Sequence, residues 1–564
     1  MGRPKRRVES RTWGALPLVN AFMGRLQLDE ILGGYLPCRD RRQKLPPARA
    51  IGLLVRNLVI SRRPLYALSE WAGPREPALL GLTVPQMEML NDDRVGRALD
   101  HLFLADRGSL VMDVVVRAVR EFGLRLRELH NDSTTITFHG LYILADGRPF
   151  RGKPTVVATW GHNKDHRPDL KQLLYQLTIT VDGAVPLHYH VWDGNTTDDQ
   201  THIATWDVLC QVAGGPDFLY VGDCKVCTAR TMKHIDLKKG RFLTILPRTR
   251  KEDRDFREWL KAHEAPWEEV WRRERVRGRK DTVDVYRAYE WPLPSAEGFR
   301  IVWIHTTEKE KRDRDEREKQ LEAARRGLED LKRRLASPKC RLRDRGKVDA
   351  EIRAALGTAS AWIKVEVRVV QEKDFRQEKR GRPGPNTRYR KIERGRFGIA
   401  WQVDAEAVRL EARTDGIFPL ITNDRELTIQ KLLLAYKRQP QVEQRFDGLK
   451  NAHDVAPQYL KRIWRIEALL CCYFLALLVD ALLERELRRG MKRARLKELP
   501  LYPEGRECKH PTTERMVELF EGLQVHRLYC GRELEDTYAP EISRLQRKVL
   551  KLLGVPVTRY MPTP

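Results

Sequence analysis

The sequence predicts an α/β protein of several domains, and three observations lead there. The chain has 564 residues, more than one hydrophobic core usually serves. Helical periodicity fills residues 1–122, and extended runs alternating with helical ones fill 123–250. A hydrophobic content of 41% is enough to bury real cores, which excludes a disordered chain.

In residues 1–122, apolar positions recur at helical spacing through ALPLVNAFMGRLQLDEILGGYL and ARAIGLLVRNLVISRRPLYALSEWA. The basic opening RPKRR and the scattered arginines suit a helical N-terminal domain that docks on phosphates. An oligomerisation module with a solvated face fits the same residues, and no clear helix-turn-helix stands out. From 123 to 250 strands take over. LRLRELHND and STTITFHG are extended, and YQLTITVDG with VPLHYHVWDG forms a hairpin turning at Val181-Asp182-Gly183-Ala184. THIATWDVLCQVA is a helix, FLYVGDCKV a strand, TARTMKHIDLKKG a helix and RFLTILP a strand. Three antiparallel strands followed by alternating helix and strand is the order of a ribonuclease H-like α/β domain.

Residues 251–415 interrupt that domain. TEKEKRDRDEREKQLEAARRGLEDLKRRL carries leucines at 321, 328, 331 and 335 in a heptad-like stripe. The break at Ala336-Ser337-Pro338 before RDRGKVDAEIRAAL predicts a helical hairpin, IKVEVRVV alternates as a strand, and GRPGPN reads as an ordered turn or linker. This is an inserted module of strands and a charged helical hairpin. Residues 416–490 resume the catalytic fold with the strand GIFPLITND, the helix LTIQKLLLAY, the stretch YKRQPQVEQRFDGLK and the apolar helix IEALLCCYFLALLVDALLERELRR. Residues 491–564 form a basic C-terminal tail with several prolines and no assigned structure.

The net charge of +27 and a pI near 9.8 imply a polyanionic partner, DNA or RNA first. A merely soluble basic protein, or one touching anionic membranes, fits the charge alone. The N-terminus has no apolar stretch of the signal-peptide kind. The run Ala468–Val479 is too short to cross a bilayer and ends at Asp480, so a buried core helix, no membrane partner and a cytoplasmic location are expected. Of nine cysteines only Cys224 and Cys227 form a CxxC, with no second pair nearby to make a zinc site. Reduced cytoplasmic thiols are the default.

Asp132 lies in LHNDSTTITFHG and Asp223 in FLYVGDCKV, each at the end of a strand-like run. Tyr436, Glu443 and Lys450 recur at seven-residue intervals, which places them on one helical face. Singly, each acid has an ordinary reading: turn chemistry at Asn131-Asp132-Ser133, a strand-end cap at Asp223, a solvated helix acid at Glu443. As an ordered set they resemble the Asp-Asp-Glu triad of bacterial insertion-sequence transposases. The resembling branch, the insertion-sequence-four-like one, carries its third acid in a Tyr-x2-Arg-x3-Glu-x6-Lys signature. The resemblance spans roughly residues 15–485, and that branch also carries an insertion where Glu443 lies 220 positions beyond Asp223.

The resemblance implies an enzyme that hydrolyses DNA at the inverted repeats ending a mobile element. The freed 3′-hydroxyls then attack target DNA, within a synaptic homodimer associated with the nucleoid. It implies Asp132, Asp223 and Glu443 as catalytic and metal-binding residues for two Mg2+ ions, with Mn2+ able to substitute. Phosphoryl transfer needs positioned oxygens and neutralised charge, which two hard cations on carboxylates supply. Asp132 is expected to bridge both ions, while Asp223 and Glu443 each complete one shell. Without metal, mutual repulsion should raise at least one carboxylate pKa. Lys450 is expected on a phosphate, and Tyr436 on a base or phosphate oxygen.

Two departures matter. Gln439 occupies the signature's arginine position, so Arg438 or Arg445 must supply that DNA contact or it is lost. Pro440 either opens the glutamate helix or kinks a continuous one. GHNKDHRPDLKQL, with His162, Asp165, His166 and Asp169, is expected as a polar loop near the active site or DNA, since related transposases carry a similar G-x-S/N-K-D-x-R-P-D-L stretch. His188 and His190 share a strand face and read as structural. Trp192, Asp193, Asn195 and Asp198 form a loop placed to approach DNA, with Asp198 and Asp199 as reserve acids. A ribonuclease H-like nuclease without transposon ends, and a catalytically inactive DNA-binding descendant of a transposase, are the alternatives.

Overall fold

A computed structural model of the chain describes residues 6–38, 44–140, 142–143, 145–164, 166–277, 280–337, 340–452 and 460–562. Two compact units result: Met1–Thr244 with Leu434–Pro564, and Ile245–Leu433.

The chain begins with β1 (Arg6–Thr12) and continues as α1 (Leu16–Arg25), α2 (Leu28–Tyr35), α3 (Pro47–Ile60), α4 (Leu68–Ala72), α5 (Val84–Glu88), α6 (Asp92–Leu104) and α7 (Arg107–Phe122). Asn91 and Asp106 start α6 and α7 by accepting from the Arg94 and Ser109 amides, and Gly123 in left-handed conformation ends α7. Next come β2 (Glu128–Phe138), β3 (Lys171–Thr180), β4 (Pro186–Trp192), α8 (His202–Ala213), β5 (Leu219–Val221), α9 (Ala229–Leu237) and β6 (Arg241–Ile245). The second unit holds α10 (Lys251–Ala262), β7 (Glu268–Arg277), β8 (Lys280–Glu290), β9 (Arg300–Thr306), α11 (Thr307–Ala336), α12 (Arg345–Leu356), β10 (Ile363–Gln377), β11 (Tyr389–Val403), α13 (Ala405–Ala412) and β12 (Ile417–Thr422). After α14 (Ile429–Tyr436), the chain returns to the first unit with α15 (Pro440–Asp447), α16 (Ile463–Arg493), α17 (Thr513–Phe520), β13 (Gln524–Cys530), β14 (Glu533–Tyr538) and α18 (Arg544–Leu553).

In the first unit the strands lie in the order β4-β3-β2-β5-β6. β2, β3 and β4 are antiparallel neighbours, while β5 runs parallel to both β2 and β6. The helices of residues 16–122 do not stand apart. They share this unit's core with α16, on which α3, α6, α1 and α18 pack. The apolar run Ala468–Val479 belongs to a buried core helix, as expected, but that helix is longer than the run. The run's twelve residues are the middle of a 31-residue helix, the one helix among the described residues long and apolar enough to cross a membrane, and its apolar window is wholly buried. Charges on α16 are matched where they enter the core: Glu467 pairs with Arg107 at 3.0 Å, Arg485 with Asp182 at 2.6 Å.

The expected C-terminal tail is folded. β13 pairs antiparallel with β1, from Arg6↔Cys530 to Thr12↔Gln524, and β14 completes that small sheet. In the second unit, β12-β9-β8-β7 is antiparallel, so the GIFPLITND strand, assigned from sequence to the resumed catalytic region, pairs there with β9. The leucine stripe of α11 is buried at Leu328, Leu331 and Leu335 against Val348 and Ile352 of α12 and the base of a β10–β11 ribbon.

Candidate active site

Asp132 sits in mid-strand on β2, opposite Leu177 of β3, so it is not a turn residue. β5 runs parallel beside β2 from Glu128↔Leu219 to His130↔Val221, and Asp223 follows two residues beyond its end. Parallel neighbours present their C-terminal ends on the same side, which is how residues 91 positions apart come together. Asp223 caps the turn after β5 by accepting from the Lys225 amide at 3.0 Å. Gly222 has no room for a side chain, because a Cβ would meet Val226. The turn also carries Cys224, half-buried, and Cys227, buried.

A third acid and a cation complete the group. Lys164 Nζ lies 3.6 Å from Asp132 Oδ1 and 3.1 Å from Asp198 Oδ2, and donates to the Ser133 carbonyl at 2.7 Å. Ser133 Oγ donates to Asp198 Oδ1 at 2.6 Å. Burial, with Asp223 and Asp198 nearby, pushes the Asp132 carboxyl up to about 6 against the pull of Lys164. Asp223 is likewise raised by burial and by Asp198. The GHNKDHRPDL stretch thus reaches the acids through Lys164; Asp165 lies outside the described residues, and Asp169 pairs with Arg167 at 2.8 Å. Gly161 seats that loop, because a Cβ there would run into the Gly194 carbonyl oxygen. Asp193 is committed to the fold, accepting from the Val157 amide at 2.7 Å.

Glu443 is exposed on α15, which Pro440 opens at its first position. Tyr436 ends the preceding helix α14, so the two do not share one continuous face. They are neighbours nonetheless: burial first, then Asp223, Cys224, Glu443 and Asp132, all raise the Tyr436 hydroxyl pKa and keep it protonated. Lys450 lies in a π-turn, Gly448–Ala452, whose i→i+5 bonding breaks the seven-residue phase expected from Glu443.

The contact that seats α15 was not foreseen. Gln439 is buried and its Nε2 donates to the Asn131 carbonyl at 3.0 Å, one residue before Asp132. Its Oε1 lies 2.9 Å from His130 Nδ1. Arg438, expected on DNA, makes a bidentate pair with Glu128 at 2.7 and 2.6 Å. Arg445, also expected on DNA, donates to the Ala184 and Gly183 carbonyls at 2.9 and 3.1 Å and pairs with Glu484 at 2.9 Å. Both guanidinium groups hold the glutamate helix to the sheet.

This clamp predicts a pH dependence. Burial would raise the Glu128 carboxyl, but hydrogen bonds from His130 and Arg438 prevail and hold it at about 2, below its ordinary 4.5. A depressed carboxylate stabilises the fold fully above its unfolded pKa and loses that contribution as pH falls through the folded one. Stability to urea should therefore drop between about pH 5 and pH 2, by at most about 3 kcal/mol from this group. Glu128→Gln should be less stable at neutral pH and lack that component of the drop.

Among the described residues, no three His, Cys, Asp or Glu side chains converge closely enough to ligate a metal ion together. The expected three-carboxylate cluster is therefore not formed. Asp132 and Asp198 flank the Lys164 ammonium, Asp223 acts on it from further off, and Glu443 stays at the exposed edge. His188 and His190, on β4, line a separate cavity of about 480 Å3 with Arg107 and Glu467.

Comparisons with known proteins add little to this geometry. A family described as a domain of unknown function, DUF4277, matches residues 8–116. No curated protein matches the chain. Among solved structures, one described as a piggyBac transposase synaptic complex with hairpin DNA aligns over 90% of this chain and 79% of its own. Its sequence identity is 8% and its TM-score 0.38, a likeness too slight to establish either fold or function.

Proposed function

We propose that the chain is a DNA transposase, which cuts the ends of an insertion element and joins the freed 3′-hydroxyls to target DNA. One observation carries the reading: Asp132 on β2, Asp223 just past the parallel β5, and Glu443 on a helix bonded to β2 all bear on one phenol, Tyr436. The order β4-β3-β2-β5-β6 supports a ribonuclease H-like core, with the acids on its first and fourth strands and on the helix that follows the insertion. The charge of +27 supports a nucleic-acid partner.

Asp132 and Asp223 fit a hard divalent cation such as Mg2+ or Mn2+, which takes one or two carboxylates and leaves its other positions to water and phosphate. Three buried-to-half-buried acids balanced by one lysine leave a deficit of positive charge that such an ion would fill. Glu443, on α15 at the edge of the same site, would be the third carboxylate to hold such an ion. Bound metal would activate the attacking oxygen and stabilise the leaving one. The chain's own residues do the rest. Gln439 holds α15 beside Asp132, Lys164 tempers the aspartates' repulsion, Tyr436 stays protonated as a donor, and Lys450 contacts phosphate beyond the helix. We propose a homodimer holding two element ends in the cytoplasm.

The test is a cleavage assay on DNA carrying the gene's own flanks, with Mg2+ or Mn2+. Cuts at the repeat boundary, lost in Asp223→Asn and Glu443→Gln, would support the reading. Binding without cleavage by the wild-type protein would favour a catalytically inactive DNA-binding descendant, and cutting that survives both substitutions would remove these acids from the chemistry.

A further inference from the structure

The β10–β11 ribbon has more length than its core uses. Its strands pair over fifteen residues each, from Ile363↔Val403 to Gln377↔Tyr389. The base is anchored: Ile363 and Ile399 are buried, with Val365, Val367, Phe397 and Trp401 packed beside them on α11 and α12, and two hydrogen bonds, Arg396 to the Ala336 carbonyl and Arg343 to the Gly395 carbonyl, reach a little further along. Beyond Val367 the ribbon runs on for ten paired residues, about 33 Å at strand rise. Val369, Val370, Phe375 and Tyr389 are between 50% and 63% exposed along it. A ribbon that gains nothing from its own core is built to meet something else.

The tip says what. Between residues 379 and 391 there are six lysines or arginines and no acid. Lys379, Arg380, Arg382, Arg388, Arg390 and Lys391 are all exposed. At the centre lies Arg380-Gly381-Arg382-Pro383. Proline forces the preceding Arg382 into extended backbone. Gly381 has φ 156°, and nothing lies within 4 Å of where its Cβ would be, so no internal neighbour fills that face. Gln377 Nε2 donates to the Gly381 carbonyl at 3.1 Å and ties the tip to the strand. The result is an exposed, bent tip, bare at Gly381, with an arginine on either side of it in the chain.

Such a tip matches the minor groove of A·T-rich DNA. That groove is only about 6 Å wide, it narrows further in A-tracts, and its enhanced negative potential attracts inserted arginines. A G·C pair obstructs it with the guanine amino group. We propose that the ribbon tip, through Arg380, Gly381 and Arg382, is a minor-groove contact selective for A·T-rich duplex DNA. It rests on the transposase reading only for the choice of DNA as polymer, and it requires no cleavage.

The test is fluorescence anisotropy of the full-length chain in EDTA with short A·T, G·C and inosine·cytosine duplexes. Inosine·cytosine has the minor groove of A·T and a major groove like that of G·C. A·T and inosine·cytosine should bind alike and about tenfold tighter than G·C. Arg380→Ala/Arg382→Ala should erase that preference. Lys379→Ala/Lys391→Ala, which removes equal charge, should weaken all three duplexes alike. Inosine·cytosine behaving as G·C, preference surviving in the arginine variant, tighter binding of an RNA duplex, or equal binding of all three would each overturn the proposal. Failure to bind any duplex would overturn the transposase reading with it.

Discussion

Asp132→Asn should abolish metal-dependent cleavage, by on the order of 10^3-fold or more, and at the same time stabilise the metal-free fold at neutral pH. Burial, Asp223 and Asp198 hold its carboxyl at about 6, above the ordinary 3.8. The unfolded chain therefore gives up this proton first, so ionisation disfavours the fold progressively from about pH 4 to pH 6 and by a constant amount above that. The difference is worth at most about 3 kcal/mol. Asparagine also loses attraction to Lys164, so a net gain of about 1–2 kcal/mol at pH 7, vanishing near pH 4, is the expected result. Thermal unfolding in EDTA at the two pH values measures it. A variant both inactive and unstable at pH 7 would mean that Asp132 serves the fold instead.

Gln439→Leu should cost about 2–4 kcal/mol and depress cleavage while leaving DNA binding intact. Leucine nearly matches glutamine in size but strands two buried partners, the Asn131 carbonyl and His130 Nδ1. Without that clamp α15 loses its seat beside Asp132, and Glu443 is no longer held at the edge of the site. Urea unfolding gives the stability and a cleavage-to-binding ratio gives the function. Loss of DNA binding in step with cleavage would contradict the positioning role.

Legibility followed separation along the chain. The extended runs through ELHNDSTTITF and the turn at 181–184 are local signals, and the strand order they imply already brings Asp132 near Asp223. Lys164 and Asp198 were legible only as a polar motif and a reserve acid, because their pairing across Ser133 depends on a loop seated by Gly161. Arg438 and Arg445 looked available for DNA, and Gln439 looked like a lost contact, because nothing nearby in sequence binds them. Their partners, Glu128, Gly183 and Asn131, lie some 260 to 310 positions away. The tail was opaque for the same reason, since Ser10 and His526, 2.8 Å apart, are separated by 516 positions. The π-turn that holds Lys450 left no mark, because one extra residue per turn has no composition of its own.

Anomalous scattering from Mn2+ in crystals of the wild-type protein bound to DNA tests the central claim most directly. The account predicts density on the carboxylates of Asp132 and Asp223, with Glu443 drawn in as a ligand and Lys164 displaced from Asp132. Density elsewhere, or none at these residues while the DNA is cut, would contradict it.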